Sequence, residues 1–143
     1  MLGWTTVVYY KGDIVAYYTL SSGSLESDDI PRSRRIADVV ELRIKSIPAL
    51  LIGRLAVDKR YQGRGIGMLL IQKIAMIALS SGDYATRLII VQAKKDAFHF
   101  YEKLGFAYVR ESKREMDRFR ARGTRTMFFD LKALRDQKTF KNA

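Results

Sequence analysis

Short runs of β-branched and aromatic residues alternate along this chain with segments whose apolar positions recur at helical spacing. Residues 5–10 (Thr5, Thr6, Val7, Val8, Tyr9, Tyr10) are followed by Lys11, Gly12 and Asp13 and then by the apolar run Ile14 to Leu20, a pattern that predicts a β-hairpin. Residues 21–29 are small, polar and acidic and read as a loop. The charged stretch from Pro31 through Lys45 reads as partly helical, with Ile36, Val39, Val40 and Arg43 on one face. After Pro48, residues 49–57 are almost wholly apolar, which predicts a central strand covered on both faces. Arg54 interrupts that run and needs a partner there.

Gly63, Gly65 and Gly67 introduce a segment with Ile66, Leu69, Leu70, Ile74, Ile77 and Ala78 at helical spacing, ended by Ser81, Gly82 and Asp83. The glycines therefore fall at a helix N-terminus. A strand over 87–92 follows, and the intervening helix makes it parallel to the strand before the glycines. A short helix from Asp96 to Leu104 stops at Gly105, and residues 106–109 and 126–131 complete the pattern as antiparallel strands around a charged connection from Glu111 to Arg125. The expected fold class is α+β, a mixed and mostly antiparallel sheet flanked by helices, in one domain over residues 1–143.

A chain of 143 residues with 48% hydrophobic content is large enough to bury a core. It has no cysteine and one histidine, which removes disulfide frameworks, cysteine nucleophiles, thiolate zinc sites and multi-histidine centres, so no metal is expected. His99 lies in the apolar run 97–101 and reads as a half-exposed helix residue outside the chemistry. No apolar stretch approaches the roughly 20 residues that span a bilayer, so a soluble cytoplasmic protein without a membrane partner is expected. Lys and Arg total 26 against 15 Asp and Glu, a net charge of +11 that gathers polyanions such as nucleic acid or nucleotide cofactors. A basic surface kept for solubility is the alternative.

A strand, a tight glycine-rich turn and a helix start make an anion site, because the backbone N–H groups of the first helical turn lack carbonyl partners and point outward. Glycines at 63, 65 and 67 remove β-carbons that would hold a diphosphate off the backbone, and they permit unusual turn dihedrals. A dinucleotide fingerprint would need another glycine at Leu70, and the Lys-Ser/Thr of a P-loop is missing, so neither fits. With its flanks, the segment from Leu55, Ala56 and Val57 through Gln62, Gly63, Arg64, Gly65, Ile66 and Gly67 resembles the Gln/Arg-x-x-Gly-x-Gly/Ala signature of the GNAT acetyltransferases. Tyr101, Glu102, Lys103, Leu104, Gly105 and Phe106 resemble the family's second hallmark, a short helix ending in Tyr-Glu-Lys-x-Gly-Phe.

The resemblance implies the GNAT acyl-CoA N-acyltransferase fold with a central splayed pair of parallel strands and acetyl-CoA bound between them. Amides from Gln62 to Met68 would hold the pyrophosphate, backbone of Leu55, Ala56 and Val57 the pantetheine arm, and Tyr101 would give a proton to the departing thiolate. The chemistry agrees, since a phenol within hydrogen-bond reach can stabilise or protonate a sulfur leaving group and is itself neutral at pH 7. Packing beside Phe98, Phe100 and Phe106 is the alternative role for Tyr101.

No carboxylate lies in residues 49–57, and Asp58 stands at their loop end. Deprotonating a lysine acceptor at pH 7 costs about 4.6 kcal/mol, an α-amine only about 1, so a site without a base suits an α-amine, the more so when it is esterified. Within the family, residues 15–24 and 51–57 resemble the toxins of toxin–antitoxin systems that acetylate the amino acid on charged tRNA. That implies tRNA as acceptor, an antitoxin as partner and Arg54, Arg34 and Arg35 on the acceptor side. Phosphates would meet either Arg32, Arg34, Arg35, Arg43 and Lys45 or Lys113, Arg114, Arg118, Arg120, Arg122 and Arg125, a solvated charged face being the alternative for each. The chain opens at the first hairpin, without the two helices that usually help to form the acceptor side; either a second subunit of a homodimer supplies them, or the chain is truncated, or its acceptor is a different one. Acetylation of a protein N-terminus or a small-molecule amine, and a GNAT fold that binds CoA or RNA without turnover, stay open.

Overall fold

The computed structural model describes residues 3–34, 43–80 and 86–135. One sheet runs in the order β1-β2-β3-β4-β6-β5, with β1 Trp4–Tyr10, β2 Asp13–Glu26, β3 Ser46–Val57, β4 Leu88–Lys94, β5 Ala107–Tyr108 and β6 Thr124–Asp130. Helix α1 spans Ile66–Ser80, α2 Phe98–Lys103 and α3 Lys113–Arg122. Neighbouring strands are antiparallel except β3 and β4, which are parallel as expected from the helix between them. Lys11 and Gly12, at φ 50° and 83°, close the β1–β2 hairpin through the two-residue turn whose twist matches that of the strands.

Residues 21–26 are strand, not loop. They extend β2 so that it pairs with β3 from Ala16↔Val57 to Glu26↔Ser46. Their composition is that of a turn, yet Ser22, Ser24 and Glu26 face water while Ser21, Gly23 and Leu25 turn inward, a period of two. The stretch after Pro31 begins as a 3-10 turn, Arg32–Arg34, and Arg43 stands at φ 54°, outside helical geometry. Ile36, Val39 and Val40, like Arg35 and the Ser81–Gly82–Asp83 stop, lie outside the described residues.

The two faces of the sheet bury separate clusters. On one, α1 lays Leu70, Ile71, Ile74, Ala75 and Ala78 against Leu50, Ile52, Ile89 and Val91. Leu69 and Ile77, assigned to this face by their spacing, are exposed. Only Gln72, Lys73 and Ser80 are polar in α1, so its periodicity leaves the rotational phase open and packing decides it. The other face gathers Leu25, Ile47, Ala49, Leu88, Ile90, Val109 and Phe128.

The charged connection is a helix. Ser112 caps α3 by accepting from the Glu115 N–H at 3.2 Å, and Gly123, at φ 67°, ends it with its N–H donating to the Phe119 carbonyl at 2.8 Å. The Ser-x-x-Glu spacing is the sequence signal for this start. Glu115 is 8% exposed and turns beneath the helix, accepting from Thr126 N at 3.0 Å and Thr126 Oγ1 at 2.6 Å. It thereby fastens α3 to β6. Glu115→Ala is expected to lower stability by about 2–4 kcal/mol, because the buried Thr126 N–H loses its acceptor and Arg118 its counter-charge. Urea unfolding measures this, and an unchanged midpoint would show that Glu115 does not anchor the helix.

No helix among the described residues is long and apolar enough to cross a membrane.

Candidate active site

Strands β3 and β4 pair only from Ala49↔Leu88 to Ile52↔Val91, although β3 continues to Val57 and β4 to Lys94. The cause lies on the far side of β3. Thr19 faces Arg54 but Leu20 faces Ile52, so Gly53 is the extra residue of a β-bulge placed just where the parallel ladder ends. A bulge bends its strand and increases local twist, and here it carries β3 away from β4. A Cβ at Gly53 would sit 2.8 Å from Thr19 Oγ1, so glycine permits the close kink. From Gly53 to Val57 the strand is laddered to β2 and presents its other edge to the cleft, the edge carrying part-buried Leu55, Ala56 and Val57. Arg54 is exposed, with no partner among the described residues; the bend brings it to water, which solvates it in place of the counter-charge expected of a covered strand.

The loop after β3 is braced at both ends. Asp58 N–H donates to the Val15 carbonyl at 2.8 Å, and its carboxylate accepts from Arg60 N at 2.8 Å and Nε at 3.1 Å, capping the 3-10 turn Lys59–Tyr61. Those bonds to Arg60 hold the Asp58 carboxyl below its usual range, so it is an engaged carboxylate rather than a free base. Gln62 Nε2 donates to the Val57 carbonyl at 2.9 Å, which makes the side chain of Gln62 a brace for the loop.

The glycines serve two different ends. Gly63 and Gly65 stand at φ 77° and 80° with open space where a Cβ would go, so the dihedral requires them. Gly67 is helical, and its Cβ would lie 3.1 Å from Phe100 Cζ; close packing of α1 on α2 requires it. Among the described residues no carbonyl accepts from the N–H groups of Gly63, Arg64, Gly65, Ile66, Gly67 or Met68; the first bond of the turn runs from Leu69 N to the Gly65 carbonyl at 3.1 Å. These donors stand at the positive end of a 15-residue helix with no acidic residue in its first turn. Such an array suits a diphosphate.

Helix α2 sets Tyr101. Phe106 N–H donates to the Tyr101 carbonyl and Gly105 N–H to the Glu102 carbonyl, both at 3.0 Å, with Gly105 at φ 98°. The Phe106 ring packs edge-on against Tyr101 at 5.2 Å. This is a complete Schellman turn with its apolar contact, and it gives Tyr-Glu-Lys-x-Gly-Phe a physical meaning. The Phe100 ring also packs edge-on against the tyrosine ring, at 5.0 Å. Tyr101 is 5% exposed and shares one apolar cluster with Leu55, Val57, Ile66 and Ala93, so both lips of the cleft, the helix start and the phenol have a common wall. Burial pushes its pKa up to about 12. His99, on the same helix, is exposed and outside that wall. Gly105→Ala is expected to destabilise by about 1–3 kcal/mol through strain at positive φ. Its Cβ would also meet Phe129 Cε2 at 3.2 Å. A thermal melt unchanged by this substitution would contradict the turn.

Residues 4–108 match the profile of the acetyltransferase (GNAT) domain. The chain belongs to the GNAT acetyltransferase family. A tRNA-acetylating toxin of Mycobacterium tuberculosis (strain ATCC 25618 / H37Rv) is 37% identical to this GNAT domain over 98 residues, 66% of this chain and 55% of the toxin, so the chain spans about half the length of that relative. AtaT complexed with acetyl-methionyl-tRNAfMet has a like fold, with a TM-score of 0.71 and 24% identity over 87% of this chain and 67% of AtaT. AtaTR bound with AcCoA matches with a TM-score of 0.61 and 25% identity over 85% of this chain and 64% of that one.

In this GNAT domain a cavity of about 190 Å³ opens on the sheet face opposite α1, with Leu51, Ile90, Gln92 and Thr126 as its floor and Arg114 and Arg118 of α3 on its wall. Strand alternation sets Leu51 and Ile90 back to back with Ile52 and Val91, so the cavity straddles the point where β3 and β4 part. Residues from four strands and α3 build it, and their convergence has no local sequence signature. Arg34 is exposed on its 3-10 turn, while Arg35 lies outside the described residues. No cluster of metal-ligating side chains occurs among the described residues.

Proposed function

We propose that this chain is an acetyl-CoA-dependent N-acetyltransferase whose acceptor is the α-amino group of an aminoacyl-tRNA. The observation that carries the proposal is the parting of β3 and β4 beside a loop of unpartnered amides, with a phenol buried in the same wall. Amides from Gly63 to Met68 hold the diphosphate, and the free edge of β3 at Leu55 to Val57 aligns the pantetheine arm, which supplies the thioester. The acceptor nitrogen attacks the carbonyl carbon, the carbon–sulfur bond breaks, the excess amine proton passes to water, and the sulfur leaves as thiolate.

Tyr101 acts at sulfur. With its pKa pushed up to about 12 and a thiol near 8.5, complete proton transfer to the thiolate is steeply uphill. The role this favours is hydrogen-bond donation to the charge growing on sulfur. On the acceptor side Asp58 is engaged by Arg60, and β3 carries no carboxylate. An acceptor that is already partly neutral fits such a site, as the α-amine of an aminoacyl ester is. The likeness to a tRNA-acetylating toxin and the +11 charge support the same choice.

A panel of charged tRNA, deacylated tRNA, an N-terminal peptide and a polyamine, each with labelled acetyl-CoA, tests it. Label is expected only in charged tRNA, released with the amino acid by mild alkali. Label in the peptide alone would replace the acceptor, and coenzyme binding without label anywhere would make the domain a binding module. Expression alone is expected to arrest growth, with relief by a cognate antitoxin.

A further inference from the structure

Helix α3 lies beyond the residues matched by the family profile, which end at 108. It is also built inside out. Its inward side chains are Glu115 and Arg118, whereas Met116 and Phe119 are 50% and 41% exposed beside Lys113, Asp117 and Arg120. A helix that merely covered a sheet would turn its apolar side inward and its charges outward. From Arg110 to Arg125 the chain carries seven basic residues against Glu111, Glu115 and Asp117. Some of these cations secure the helix: Arg114 pairs with Asp29 at 3.2 Å, Arg118 with Glu115 at 3.8 Å, and Arg125 lies 4.2 Å over the Tyr108 ring. Lys113, Arg120 and Arg122 have no partner among the described residues and face water. Lys113 stands in the first turn, where a cation opposes the helix dipole, so helix stability does not account for it.

We propose that the outer face of α3 docks the phosphate backbone of RNA through Lys113 and Arg120, one helical repeat of seven apart on the side away from Glu115, with Phe119 against a base or sugar. Resting on the function proposed above, that RNA is the charged tRNA. Cations interleaved with a single aromatic ring suit a polynucleotide, whereas an anionic membrane calls for a broad apolar face, which two side chains do not make. The inner side of α3 walls the cavity at the parting of β3 and β4, on the face opposite α1.

The test uses the whole chain with Lys113→Gln and Arg120→Gln combined. Anisotropy of labelled tRNA across a KCl series, together with acetylation kinetics on charged tRNA, is compared with wild type. The expected result is a KM for charged tRNA raised about tenfold or more with kcat, coenzyme affinity and unfolding midpoint unchanged, and a log affinity against log salt slope shallower by about two. Arg120→Lys should retain wild-type binding. Equal tRNA affinity and salt slope in the double variant would overturn the proposal, as would weakened binding of an acidic peptide or anionic vesicles with tRNA binding intact. If wild type does not acetylate charged tRNA, the acceptor assignment fails by itself, and the anisotropy still decides whether α3 docks RNA.

Discussion

Tyr101→Phe is expected to lower turnover about a hundredfold while coenzyme affinity stays within about twofold of wild type. The substitution removes one oxygen and leaves the ring, so the contacts with Phe100 and Phe106 and the turn that closes on the Tyr101 carbonyl persist. A hydroxyl that acts as sulfur departs contributes to the transition state and little to the bound ground state, hence the loss in kcat rather than KM. Equal turnover would reduce Tyr101 to a packing residue. Its ionisation adds a signature in pH. An unfolded tyrosine ionises near 10 and the buried one near 12, so between those values the unfolded chain has lost a proton that the folded one retains. The contribution of neutral Tyr101 to stability is therefore intact below pH 10 and declines as pH rises from about 10 to 12. Tyr101→Phe should remove that part of the alkaline decline in stability.

Gly65→Glu is expected to weaken acetyl-CoA binding at least about a hundredfold. Any L-residue at φ 80° carries strain of about 1–3 kcal/mol. A carboxylate there also competes for the amides meant for the diphosphate and repels it. Gly65→Ala isolates the strain, since no atom lies within 4 Å of its added Cβ, and should lose about tenfold. Calorimetric titration of both variants measures the difference, and wild-type affinity in Gly65→Glu would remove the loop from the coenzyme site.

Much of this fold is legible in local pattern because the deciding residues are local. The β1–β2 turn, the parallel pair implied by a strand, helix and strand in succession, and the Gly105 stop each depend on a few consecutive side chains. Three features depend on tertiary context instead. Residues 21–26 have turn-like composition, and only pairing with Ser46–Leu51 makes them strand. α1 is apolar nearly all round, so the buried choice of Ile71 and Ala75 over Leu69 and Ile77 is made by the sheet beneath it. Arg54 belongs to an apolar run, yet the Gly53 bulge carries it into water.

At the candidate site the glycine pattern points to the loop, but not to the division of labour within it. Gly63 and Gly65 are required for dihedral, and Gly67 for contact with Phe100. Gln62, grouped with the phosphate-binding residues by resemblance, spends its side chain on the Val57 carbonyl. The α3 start is present in the sequence as Ser112 and Glu115, concealed by charge density; the burial of Glu115 beneath its own helix depends on Thr126, eleven residues away.

Backbone amide NMR during titration with acetyl-CoA tests the central claim most directly. The resonances of Gly63 to Met68 are expected to shift most, followed by those of the β3 edge from Leu55 to Val57. Saturable binding with those amides unmoved and the largest shifts elsewhere would contradict it.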